Sequence, residues 1–137
     1  HSSLSNCVFG MLACQIGYYD EAYEYFAQSA RMDLDDYHDN FYAGIHAANM
    51  AGTWQAIING FAGVRVNGGE LELHPYVPKL WKGMQFNLLY RGSRLNIQLT
   101  HEKTRIELVS GEAVSLRINE KEIRLDTGKG SVYGEEI

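Results

Sequence analysis

The spacing of the apolar residues changes near residue 69, and this change constrains the fold more than any other feature of the chain. Before it, apolar residues recur at intervals of three and four, as in DEAYEYFAQSARM, which is typical of an amphipathic helix. After it, segments such as RLNIQLT and TRIELVS alternate apolar and polar residues, which is the period of a half-buried strand. The sequence therefore predicts an α+β chain, with helices first and an antiparallel β-sandwich domain second.

The join between these two patterns is VNGGELELHPYVP, which contains two adjacent glycines and both prolines of the chain. Because glycine and proline interrupt regular structure, we predict a domain boundary there, with one domain at residues 1–69 and the other at 70–137. The charge changes at the same point: the first part has two basic and seven acidic residues, and the second has ten of each. The formal net charge of −5 disfavours nucleic acid as a partner.

The sequence also lacks the signatures of several other classes of protein. No apolar run reaches the roughly 18 residues that a transmembrane helix needs, so we do not expect a membrane partner. The P-loop, GxGxxG, HExxH and GxSxG motifs are missing, and we predict neither a metal nor a cofactor. Cys7 and Cys14 would lie about 10 Å apart along one helix, which is too far for a disulfide. Two buried free thiols indicate a reducing compartment, and we expect a cytoplasmic protein.

Three helices are expected in the first part of the chain. Ser5 is a candidate cap for the first helix, and Asp20 for the second, which ends before the DLDD loop. The third helix should run from near Gly44 to near Gly60. A tetratricopeptide repeat is an alternative for GYYDEAYEYFAQSARMDLDD, although no second copy follows at the roughly 34-residue spacing of such arrays.

Two segments of the helical part are candidate anion sites. HSSLS, at the start of the sequence, offers hydroxyls at a helix N-terminus, where unpaired N–H groups and the helix dipole attract phosphate or sulfate. His46 stands at the start of the third helix, where an imidazolium and the N–H groups of Ala47 and Ala48 would form a second surface for an anion. Each has a plainer interpretation, namely a solvated helix cap for HSSLS and a packed core histidine for His46.

Trp54 and Gln55 are weaker candidates, as a stacking platform and an amide donor for a sugar, and helix packing is the alternative. DLDD and Asp39 are interpreted as solvated loop carboxylates, because their spacing does not specify a catalytic pair. Trp81 is interpreted as an anchor in the core of the sheet domain.

Residues 1–100 contain a series of distinctive stretches: HSSLS followed by CVFGMLACQIGYYDEAYEYFAQSARMDLDD, then GIHAANMAGTWQAIINGFAGVRV, then GGELELHPYVPKLWKGMQFNLLYRGSRLNIQLT. In this order they resemble the C-terminal part of glycoside hydrolase family 65, the inverting disaccharide phosphorylases that act on maltose, trehalose and kojibiose. The resemblance implies that the helical part is the last helices of an (α/α)6 barrel and that the β-sandwich domain packs beside it.

The resemblance also implies a reaction. Inorganic phosphate, as co-substrate, would attack the anomeric carbon of an α-glucoside with inversion, through an oxocarbenium-like transition state. Ser2, Ser3 and His46 would face the phosphate, with the backbone at Ala47 as a further contact. The general acid would be a glutamate upstream of His1, so the chain alone is expected to be inactive.

The partners implied are a disaccharide, phosphate, the rest of the catalytic barrel and, since the family often dimerises, a second copy of the protein. Two other functions stay open from the residues alone. One is an α-glucoside hydrolase of the same family, and the other is a non-catalytic carbohydrate-binding or structural domain.

Overall fold

The computed structural model describes residues 4–36, 42, 44–127 and 132–136. Of the predicted site residues, Ser2 and Ser3 lie outside these ranges, as do His1 and Asp39. The chain divides into two compact units, His1–Phe61 and Ala62–Ile137. Among the described residues, no helix is long and apolar enough to span a membrane.

The described residues of the first unit form three α-helices, which are α1 (Ser5–Gln15), α2 (Tyr19–Ala30) and α3 (Ala47–Gln55). Helix α3 continues as a π-helical segment, Ala56–Phe61. The predicted caps are wrong by one or two residues. Ser5 is already inside α1, whose N-cap is Leu4, and the N-cap of α2 is Tyr18, without a side-chain cap in either case. Asp20 instead lies in the first turn of α2, where a negative charge suits the helix dipole.

A Schellman motif ends α1 and turns the chain into α2. Gly17 adopts a φ of 81°, and its N–H donates to the carbonyl of Cys14. The N–H of Tyr18 donates to the carbonyl of Ala13 at 2.9 Å, which completes the pair of bonds that this motif requires. The hairpin between α1 and α2 is therefore fixed by a glycine whose left-handed backbone few other residues adopt.

The helices of this unit pack through small residues. The buried residues of α1 are Cys7, Gly10, Ala13 and Cys14, and both cysteines are free thiols, as the sequence predicts. A Cβ added at Gly52 of α3 would overlap the sulfur of Cys7, so α1 and α3 approach each other as closely as a glycine permits.

In the part of the second unit that the structure describes, eight strands form two four-stranded sheets. The first sheet has the order β1 (Arg65–Asn67), β2 (Glu70–Leu73), β6 (Val114–Ile118) and β7 (Lys121–Leu125). The second has the order β3 (Gly83–Tyr90), β4 (Ser93–Thr100), β5 (Lys103–Ser110) and β8 (Val132–Glu136).

The prediction of a purely antiparallel domain is wrong at one pair, because β2 and β6 run parallel. The chain leaves the first sheet after β2, forms β3 to β5 in the second sheet, and returns beside β2 in the same direction, as a parallel pair requires. The predicted boundary after Gly69 falls between β1 and β2, which pair antiparallel as a hairpin, so the division of the chain comes earlier, at Phe61.

The alternating pattern places the core of this unit on one face of each sheet. Its fully buried side chains include Leu71, Leu73, Leu95, Ile97, Leu99, Ile106 and Leu116. The turn at Arg91 and Gly92 has φ values of 49° and 81°, and the turn at Asn119 and Glu120 has values of 45° and 70°. Two consecutive positive values are typical of type I′ hairpin turns, which match the twist of the strands that they join.

Candidate functional site

His46 forms the N-cap of α3 and is bound twice by the same carboxylate. Its ring Nδ1 lies 2.5 Å from Oδ1 of Asp33, and its backbone N–H donates to Oδ2 of Asp33 at 3.0 Å. Both side chains are partly buried, with 20% and 23% of their surfaces exposed. The interpretation of His46 as a packed core histidine is therefore incomplete, because the ring pairs with a carboxylate and keeps access to solvent.

Asp33 is held in its ionised form by this contact. The hydrogen bond from the His46 ring, followed by the bond from the His46 backbone N–H, lowers the pKa of Asp33 below its usual value. A carboxylate can only accept hydrogen bonds, so Nδ1 must carry a proton to donate to it. Any hydrogen bond from this ring to an anion must then come from the other nitrogen, Nε2.

Asp33 occupies the turn of residues 31–36 that follows α2, and an exposed ion pair lies on the same turn. Arg31 donates to both carboxylate oxygens of Asp35 at 2.6 Å, and the N–H groups of Leu34 and Asp35 both donate to the carbonyl of Arg31 at 2.9 Å. The DLDD segment is therefore not a set of equivalent solvated aspartates, since Asp33 and Asp35 have separate, defined partners.

A buried polar network joins the end of α2 to the start of α3. The hydroxyl of Ser29 donates to Oδ1 of Asn49 at 2.7 Å and lies 2.8 Å from the hydroxyl of Thr53. The Asn49 amide donates in return to the carbonyl of Ser29 at 2.8 Å. Ser29 and Asn49 are 1% and 2% exposed, so these bonds are shielded from water and hold α3 in a defined position against α2.

The starts of α1 and α3 lie at the same end of the helical unit. Gly52 faces Cys7, and Gly60, further along the same helical run, faces Cys14, so α1 and α3 run in the same direction. Because the helical rise is about 1.5 Å per residue, Ser5 and His46 both lie within roughly 10 Å of the Gly52 level, on the same side of it. The positive ends of two helix dipoles therefore share one end of the unit.

The two backbone N–H groups predicted to bind an anion at the start of α3 differ in how ready they are to donate. The N–H of Ala47 donates to the carbonyl of Ile45 at 3.1 Å, which removes it as a ready donor to an anion. The first helical bond of α3 runs from Met50 to His46, so the N–H of Ala48 belongs to the first turn, where a helix supplies no acceptor of its own.

Trp54 is 57% exposed and Gln55 is also exposed, so neither side chain packs into the core of the helical unit itself. Trp54 follows His46 by eight residues, which places it on the same face of α3 about 12 Å along the helix.

Trp81 is half-buried, and its carbonyl lies 2.6 Å from Nε2 of His101. Within the described ranges, no three His, Cys, Asp or Glu side chains come together in a way that could hold a metal ion.

The sequence interpretation missed Asp33. By contrast, the ion pair between Arg31 and Asp35 could have been predicted, because residues four apart are neighbours on a helical turn. Asp33 and His46 are thirteen positions apart in the sequence, and no periodic pattern connects two positions of this kind. Only the approach of α2 and α3, which the Ser29 and Asn49 network fixes, brings them together.

Two domains of one protein family match this chain. Residues 1–55 match the glycosyl hydrolase family 65 central catalytic domain, and residues 64–125 match the C-terminal domain of the same family. The α,α-trehalose phosphorylase of Thermoanaerobacter brockii is 49% identical over 128 residues, which are 93% of this chain and 16% of that protein. The maltose phosphorylase of Bacillus subtilis is 36% identical over 124 residues, which are 90% of this chain and 16% of that protein.

A solved structure agrees with these matches. It is described as a candidate kojibiose phosphorylase from the human microbiome, and it has a TM-score of 0.89 and 26% sequence identity over 99% of this chain and 20% of its own. The helical unit and the sheet unit thus correspond to adjoining parts of a glycosyl hydrolase. The chain belongs to glycoside hydrolase family 65, which confirms the resemblance, and it spans 16% of the length of the curated relatives named above.

Proposed function

We propose that this chain contributes the phosphate subsite of an inverting disaccharide phosphorylase. The observation that carries the proposal is the shared end of α1 and α3, at which His46 is the N-cap of one helix and Leu4 is the N-cap of the other. Helix N-termini attract anions, and a histidine and hydroxyls add charge and donors. The relatives support this choice, since their names describe phosphorylases of trehalose and maltose.

In the proposed reaction, a phosphate oxygen forms a bond to the anomeric carbon of an α-glucoside as the glycosidic C–O bond breaks. A general acid, a glutamate outside this chain, gives its proton to the leaving sugar oxygen, and β-glucose 1-phosphate is released. Phosphate is itself the nucleophile, so the protein must hold a dianion in line with the anomeric carbon. Ser2, Ser3 and the Nε2 side of His46 would do this, and the N–H of Ala48 is a better candidate than that of Ala47.

The surface of α1 supports the proposal that the helical unit belongs to a larger (α/α)6 barrel. Val8, Leu12 and Ile16 recur every four residues along α1 and are 45%, 50% and 66% exposed. Contiguous apolar surface of this kind usually marks an interface. Since the chain spans 16% of its relatives, we assign this stripe to contact with the remaining barrel helices.

The test uses an exchange enzyme, which we define as the trehalose phosphorylase relative with this chain in place of its matching segment. It is expected to cleave trehalose only with phosphate and to form glucose 1-phosphate. His46→Ala and Ser3→Ala should each raise the KM for phosphate about tenfold or more, as expected for the loss of a charge-assisted hydrogen bond, with little change in the KM for trehalose. Met50→Ala is the matched control, because Met50 lies one turn from His46 on the same face and is 55% exposed.

Three results would contradict the proposal. The first is a folded exchange enzyme without phosphate-dependent cleavage, and the second is an unchanged KM for phosphate in the His46→Ala variant. The third is formation of free glucose at a rate that does not depend on phosphate, which would instead indicate an α-glucoside hydrolase. The chain alone should release no glucose 1-phosphate from trehalose and phosphate, since it lacks the general acid.

A further inference from the structure

We infer that Asp33 is a positioning residue that orients the ring of His46 and directs Nε2 toward the phosphate. This inference rests on the proposed function, and it adds a residue that the sequence motifs do not single out. The structural basis is the double contact, in which one carboxylate binds both the backbone N–H and the ring Nδ1 of the same histidine.

The double contact restricts the ring more than a single hydrogen bond would. The bond from the backbone N–H fixes the carboxylate relative to the first residue before α3. The bond at Nδ1 then fixes the rotation of the imidazole, because turning the ring about its Cβ–Cγ bond would break it. The tautomer is set at the same time, since Nδ1 must hold a proton for the carboxylate to accept.

The anchoring of Asp33 extends into the core of the helical unit. The turn that carries it is closed by the backbone N–H groups of residues 34 and 35, which both donate to the carbonyl of Arg31, and α3 is tied to α2 by the Ser29 and Asn49 hydrogen bonds. Supporting groups of this kind hold a binding side chain in its productive geometry at small cost when the ligand arrives. The ionised state of Asp33 fits this role, because the two hydrogen bonds from His46 lower its pKa.

The experiment compares Asp33→Asn with Asp35→Asn in the exchange enzyme. Each variant removes one carboxylate charge from the same turn at nearly constant size, but only Asp33 contacts His46, whereas Asp35 pairs with Arg31. Asp33→Asn should raise the KM for phosphate about tenfold, as expected for the loss of a charge-assisted hydrogen bond. The kcat at saturating phosphate and the KM for trehalose should stay near their original values, and Asp35→Asn should change none of the three.

A double variant separates positioning from a general loss of stability. If Asp33 acts through His46, then Asp33→Asn combined with His46→Ala should bind phosphate no more weakly than His46→Ala alone. A structural effect would instead add to that of His46→Ala. Asp33→Glu, which keeps the charge, should recover part of the lost affinity, and circular dichroism of every variant establishes that the helices are intact.

The outcomes distinguish this inference from the proposed function. If His46→Ala weakens phosphate binding but Asp33→Asn does not, the inference is wrong and the proposed function stands. Additive effects of the two substitutions, or equal effects of Asp33→Asn and Asp35→Asn, would overturn it as well. If His46→Ala leaves the KM for phosphate unchanged, the proposed function fails and the positioning role fails with it.

Discussion

Replacing Gly52 with alanine should destabilise the helical unit, although alanine is the better helix former. A Cβ at this position would lie 3.2 Å from Cβ of Cys7 and closer still to its sulfur, nearer than buried atoms normally pack. Cys7 is 2% exposed and lies in the first turn of α1, where its thiol donates to the carbonyl of Leu4, so its side chain has little room to withdraw. The new methyl group must therefore push α1 and α3 apart or force a cysteine rotamer that packs poorly.

The magnitude follows from two opposing terms. Adding a methyl group to a packed core costs roughly 1–3 kcal/mol, and the closeness of the overlap places Gly52→Ala near the upper end of that range. Replacing glycine with alanine inside a helix contributes about 1 kcal/mol in the other direction. The expected result is a net loss of about 2 kcal/mol in the free energy of unfolding.

Gly60→Ala is the matched control. Gly60 is also buried against a cysteine of α1, but its added Cβ would lie 3.5 Å from the sulfur of Cys14 and 3.6 Å from Met11, which are ordinary contacts. This variant should be neutral or up to about 1 kcal/mol more stable than the original chain. The two substitutions are chemically identical, so their difference measures the close approach at Gly52.

Denaturant unfolding followed by the helical circular dichroism signal measures both variants. Cys7→Ala removes the sulfur, and the double variant with Gly52→Ala should recover about 1 kcal/mol or more relative to the sum of the single changes. Equal stabilities for Gly52→Ala and Gly60→Ala would refute the reasoning, and so would additive effects of the Cys7 and Gly52 substitutions.

The other predictions concern the buried polar network between α2 and α3, the stability of the folded chain at low pH, and one turn of the sheet unit. Asn49→Leu should cost about 2–4 kcal/mol in denaturant unfolding, because the buried hydroxyl and carbonyl of Ser29 both lose a partner. The pKa of Asp33 is lowered in the folded chain, so its contribution is present above the ordinary pKa of about 3.9 and is lost as the pH falls through the lower, folded value. The denaturation midpoint should therefore fall less on acidification in Asp33→Asn than in the original chain. Gly111→Ala should lower the melting temperature of the sheet unit far more than Gly92→Ala, because both glycines have a positive φ but only the former would place a Cβ 2.5 Å from the backbone of β4.

The sequence predicts most of the sheet unit because its information is local. Alternation along each segment identifies β3 to β7, and the turn residues Arg91-Gly92 and Asn119-Glu120 mark two of the hairpins. The parallel pairing of β2 with β6 could not be predicted in this way. These strands are separated by three others in the sequence, and nothing within either strand specifies its neighbour. The three-residue strand β1 is too short for its alternation to be recognised, and the predicted boundary fell beside it for that reason.

The candidate site was predictable to a smaller extent. His46 could be singled out because a histidine among alanines at a helix start is unusual, and the family resemblance gave it a role. Asp33 could not be singled out, because its contact depends on how two helices pack and not on any spacing within the sequence. The N–H of Ala47 is predicted as an anion contact by ideal helix geometry and by the family resemblance. Its bond to Ile45 reflects how the chain enters α3, which neither of these includes.

The two faces of α1 connect the packing of the helical unit to the proposed site. Within the unit, α1 uses Cys7, Gly10, Ala13 and Cys14, whereas its larger apolar residues face outward. A helix with apolar residues on both faces is usually buried on both faces. Its small side chains lie on the face where a neighbouring helix comes closest. The close approach to α3 sets the start of α1 at the same end of the unit as His46. In the proposed barrel, the outward face would be held by neighbouring helices. The end of the unit at which phosphate is proposed to bind would then be positioned from both sides, which is what a site that must align a dianion with an anomeric carbon requires.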